Sequence, residues 1–130
     1  MPVRSLNSSV LRWPDATEVK EGLRAWTERV RQERPDILRI GYIGSYARGT
    51  SGVGSDADII LVVEESDQPF VRRSAEWDAT SLPVPVDIMV YTRREWESLP
   101  AQTKFHQTIE EEAVWLFVAP SAPRCAAAGR

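Results

Sequence analysis

Two residue types that carry much of protein chemistry are nearly missing. The 130-residue chain holds one cysteine, Cys125, and one histidine, His106. A single cysteine closes no internal disulfide, which fits a reducing compartment. A single histidine argues against a zinc site or a Ser-His-Asp triad. There is no apolar run of membrane-spanning length. The opening MPVRSLNSSVLRWPDA also lacks the continuous apolar core of a secretory signal. The expected location is the cytoplasm, with no membrane association. Basic excess is missing as well: the formal net charge is −3, so the chain has no electrostatic footprint for direct nucleic-acid binding.

What is present is the composition of a globular protein. Hydrophobic residues make up 42% and charged residues 27%, and the length suffices for one core. No internal repeat is visible. The expectation is one domain over residues 1–120, followed by a loose Pro- and Ala-rich tail over 121–130.

The pattern predicts alternating helices and strands. Between Ala16 and Arg34, Val19, Leu23, Trp26 and Val30 recur at helical spacing, Asp15 and Glu18 form a capping-box pattern, and Pro35 follows. Ile37–Gly44 reads as a strand, as does Ala57–Val63, which is apolar on both faces and therefore central. PFVRRSAEWDA suggests a short helix. A third strand is expected over Val84–Tyr91, with Pro83 and Pro85 confined to its start. Thr92 and Glu95 then open another helix, AQTKFHQTIEEEA a further one, and Val114–Val118 a last strand. This order predicts an α/β or α+β sheet with helices packed against it.

The chemistry concentrates between Gly44 and Asp87. Gly44 ends a strand, and Ser45 stands near the N-cap of a short helix, a turn where backbone N–H groups can meet phosphate. Ten residues later come Asp56 and Asp58. Two residues apart in a strand, they project to one side and offer a hard-oxygen site suited to Mg²⁺. Asp87 interrupts the apolar run of the third strand. If that strand lies beside the second, Asp87 completes a three-carboxylate cluster able to hold two metal ions. The pattern G-S-x(10)-D-x-D has about a one-in-a-thousand chance of arising at random in a chain this long.

These residues, Gly41–Val63 with VPVDIMVY at Val84–Tyr91, resemble the signature of the DNA polymerase β-like nucleotidyltransferases. The small size is similar to that of the minimal nucleotidyltransferase (MNT) group. The resemblance implies a palm-type fold, a small mixed sheet flanked by helices. It implies that Gly44 and Ser45 contact the triphosphate of a nucleotide, ATP above all. It further implies that Asp56 and Asp58 bind Mg²⁺, two ions in all, and that Asp87 completes the metal site and helps activate an acceptor hydroxyl. Arg48 is placed to reach phosphate, with a structural role equally open. Many members of the minimal group resemble antitoxins that adenylylate a tyrosine of a helical HEPN toxin, which makes a protein partner the expected acceptor. A non-catalytic antitoxin and a transferase for small molecules are the alternatives.

Other features read more simply. The five tryptophans are expected to be mostly core or half-buried, with one or two available for a partner. The paired arginines in VRRSAEW and TRREW read as solvated, and Glu110–Glu112 as an exposed helix end.

Overall fold

The computed structural model describes residues 14–99 and 103–122. Helix α1 (Ala16–Glu33) starts on the expected capping box. The Asp15 carboxylate accepts from the Glu18 N–H, and Glu18 accepts from the Asp15 N–H. Arg34 caps its other end, because Pro35 cannot continue the helix. Its stripe of Val19, Leu23, Trp26 and Val30 is buried against the sheet.

Four strands form the sheet: β1 (Ile37–Ile43), β2 (Ala57–Val63), β3 (Val86–Thr92) and β4 (Val114–Val118), in the order β3-β2-β1-β4. β1 runs antiparallel to both β2 and β4, whereas β2 and β3 are parallel, so the sheet is mixed. Short α2 (Ser45–Arg48) links β1 to β2. Helix α3 (Phe70–Arg73) and a 3₁₀ turn (Ser74–Glu76) lie in the β2–β3 crossover. Helix α4 (Arg93–Glu97) follows β3, and α5 (Lys104–Glu112) precedes β4.

β2 is central, as its two-faced apolarity predicts. Ile59, Leu61 and Val63 face the α1 side, while Ile60 and Val62 face the α4–α5 side with Trp96 and Ile109. All five are at most 1% exposed, and burial of each such side chain contributes about 1.5–3 kcal/mol relative to exposure.

Three expectations shift. β3 begins at Val86, two residues later than the apolar pattern suggests: Pro85 has no N–H for the ladder, but its carbonyl accepts from Ala57. The helix expected over PFVRRSAEWDA divides into α3 and the 3₁₀ turn. Arg73 is not solvated: it is 6% exposed and donates to the Gln68 and Val90 carbonyls and to Glu95. Trp26, Trp77 and Trp96 are buried and Trp115 is half-buried, whereas Trp13 lies outside the described residues. Of the expected tail, Ser121 is held through its carbonyl by Arg93, and residues 123–130 lie outside the described residues. Among the described residues, no helix is long and apolar enough to cross a membrane.

Candidate active site

The site forms where β1 ends and β2 and β3 begin. Gly44 adopts φ 87°, ψ −155°, a backbone region essentially reserved for glycine. A methyl group on its Cα would lie 2.5 Å from Asp58 Oδ2, so the absence of a side chain lets this turn sit against the carboxylate. Gly44 itself is the N-cap of α2 and Ser45 is its first helical residue, next to the cap as expected. The Gly44 carbonyl receives the N–H groups of Ala47 and Arg48. Buried Tyr46 anchors the following loop by donating its hydroxyl to the Ser55 carbonyl at 3.4 Å, which delivers the chain to Asp56.

The three aspartates take different stations. Asp56 is exposed immediately ahead of β2, Asp58 is half-buried as the second residue of β2, and Asp87 is exposed as the second residue of β3. The exposure of Asp87 follows from its position at the mouth of an edge strand. The parallel register makes Asp58 and Asp87 direct partners, and the antiparallel register sets Ile43, next to Gly44, against Asp58. Burial, then the charges of Asp87 and Asp56, push the Asp58 carboxyl above the usual carboxylate range, and Arg48 pulls the other way. Asp87, Asp56 and Arg48 therefore all act electrostatically on Asp58. Among the described residues, no three acidic, histidine or cysteine side chains are gathered as a ready-made metal cage. Asp58 and Asp87 are brought side by side, and Asp56 stands at the approach.

A residue that sequence reasoning misplaced belongs here. Glu112 is not part of an exposed helix end: its side chain is 19% exposed, whereas Glu111 is exposed. The Glu112 carboxylate accepts from the Gly44 N–H at 3.2 Å and from Arg48 Nη1 at 3.2 and 3.3 Å. The missing signal is strand pairing. β4 pairs with β1 so that Val114 faces Tyr42, and two residues outward on each chain Glu112 meets Gly44.

A cleft of about 640 Å³ lies at the other end of β2 and β3, lined by Glu64, Arg73, Thr92, Arg93 and Glu95 among others. Four of its charges are engaged in pairs, Arg73 with Glu95 and Arg93 with Glu64.

The nucleotidyltransferase domain family model matches residues 23–116, a span that contains the Gly-Ser turn and all three aspartates. The chain belongs to the nucleotidyltransferase domain family. Solved structures agree on the fold of this nucleotidyltransferase. A protein of Sulfolobus solfataricus assigned as a nucleotidyltransferase is similar over 82% of this chain and 86% of its own, with 18% identity and a TM-score of 0.58. A toxin–antitoxin structure with AMP-PNP matches 75% of this chain and 74% of its own, at 22% identity and TM-score 0.53. A mutant of the toxin–antitoxin MntA-HpeT covers the same shares at 20% identity and TM-score 0.52. No curated protein matches the chain significantly in sequence. The mixed sheet with flanking helices is therefore a nucleotidyltransferase fold.

Proposed function

We propose that this nucleotidyltransferase moves AMP from ATP to a tyrosine hydroxyl of a small helical partner of the HEPN toxin type. In the cytoplasm it thereby acts as an antitoxin. The observation that carries the reaction type is the pairing of Asp58 with Asp87 on parallel strands, with the Gly44 turn pressed against Asp58. Two structurally similar proteins are toxin–antitoxins. One was solved with AMP-PNP, and in the other two aspartates, two residues apart, are changed to glutamate.

Asp56, Asp58 and Asp87 present an all-oxygen, anionic donor set, which fits a hard cation such as Mg²⁺. The crowding that raises Asp58 is also what a cation relieves. Asp56, Asp58 and Asp87 would hold Mg²⁺, two ions in all, which would neutralise phosphate charge and favour the deprotonated acceptor hydroxyl. The Gly44 turn gives the triphosphate a close backbone approach. The Ser45 hydroxyl donates a hydrogen bond, and Arg48 brings positive charge. Asp87 faces the acceptor and helps draw the proton from its hydroxyl. The hydroxyl oxygen then bonds to the α-phosphorus in line, the bond from that phosphorus to the bridging oxygen breaks, and pyrophosphate leaves.

Incubation with Mg²⁺, ATP labelled at the α-phosphate and the helical partner tests this. The label is expected on a partner tyrosine, with loss of the partner's toxicity. Substitution Asp58→Ala is expected to abolish both. Full silencing by a folded Asp58→Ala protein would contradict the enzymatic reading and favour neutralisation by contact.

A further inference from the structure

Helix α5 ends at Glu112, and a single residue, Ala113, separates it from β4. The β1–β4 register then fixes where Glu112 can be. With Tyr42 opposite Val114, the last turn of α5 is carried to the start of α2. There the Glu112 carboxylate engages one backbone N–H, that of Gly44, and one guanidinium, that of Arg48. A backbone N–H beside an arginine is also what a phosphate oxygen takes as partners. Carboxylate and phosphate are both anions that only accept hydrogen bonds, so one set of donors serves either. The surroundings oppose holding both at once. Asp56, Asp58 and Asp87 already make this end acidic, and a fourth carboxylate beside an incoming polyphosphate adds like-charge repulsion.

Resting on the reading of Gly44, Ser45 and Arg48 as the triphosphate-binding turn, we infer that Glu112 is a built-in competitor for the nucleotide. In the free protein its carboxylate holds the Gly44 N–H and Arg48, and an arriving triphosphate takes both donors from it. Arg48 is thereby kept in place for phosphate while the site is empty of nucleotide.

Substitution Glu112→Gln removes the charge and keeps the shape. In calorimetric titrations of the full chain, we expect it to bind ATP roughly three- to tenfold more tightly than wild type. That range is set by the loss of one partly exposed charged competitor. Inorganic tripolyphosphate should show the same gain, and adenosine, which has no phosphates, none. Equal or weaker ATP binding by folded Glu112→Gln would overturn the proposal, since Glu112 would then serve only to orient Arg48. If neither protein binds ATP or tripolyphosphate, the assignment of the turn fails, and the proposal with it. Should Glu112→Gln not fold, Glu112→Ala, which removes the competing carboxylate altogether, is read the same way.

Discussion

At the scale of single residues, the site depends on one position that tolerates no side chain. Gly44 combines a glycine-only backbone conformation with a methyl-to-carboxylate distance of 2.5 Å. Substitution Gly44→Ala is therefore expected to destabilise the fold by about 1–3 kcal/mol, the usual cost of such a conformation. The check is the urea midpoint at unchanged slope. Loss of nucleotide affinity should exceed what the stability change explains, because the turn and Asp58 would be forced apart. Gly44, Ser45, Asp56, Asp58 and Asp87 stand out as candidates by spacing and residue type, and the strand register brings Gly44, Asp58 and Asp87 to one end of the sheet. Glu112 was not legible. An acid in a run of three at a helix end looks like any solvated terminus, and only the β1–β4 register distinguishes it from Glu111.

At the scale of elements, local signals held where they act over a few residues. Both capping boxes, Asp15 with Glu18 and Thr92 with Glu95, are present as reciprocal hydrogen bonds. Glu95 has a second role that its sequence neighbours do not disclose. It takes the guanidinium of buried Arg73, 22 residues earlier, and so ties α3 to α4 across the end of β3. The Arg73 hydrogen bonds hold the Glu95 carboxyl below the usual carboxylate range, with backbone help from Thr92. A carboxyl lowered on folding contributes stability above its unfolded value of about 4.3 and loses it as pH falls through the folded value. Substitution Glu95→Gln keeps the capping box and removes the charge. Its expected cost near pH 7 is about 1 kcal/mol, reduced from that of a fully buried pair because Glu95 is 42% exposed. That difference should shrink as pH falls below about 4.3 and vanish only once pH has passed through the lowered folded value, where the wild-type carboxyl protonates. Thermal melts across this range provide the measurement, and a difference that persists at low pH would contradict the ion-pair account.

At the scale of the whole molecule, the order of elements was readable, but strand neighbours were not. Periodicity reports which faces of β2 are buried, and its two-faced apolarity does place it centrally. It does not say that β3 lies parallel on one side while β1 and then β4 continue antiparallel on the other. That arrangement turns separate sequence features into one site. Parallel pairing brings Asp87 to Asp58, and antiparallel pairing brings the Gly44 turn and Glu112 to the same end. The central claim is that this end of the sheet performs nucleotidyl transfer. The most direct measurement is the rate of α-phosphate transfer from ATP in Mg²⁺ by wild type, Asp58→Asn and Asp87→Asn, each shown folded by circular dichroism. The account predicts that each substitution lowers the rate at least about a hundredfold, as the loss of a group that supports transition-state charge should. Transfer at the wild-type rate by either folded variant would contradict it.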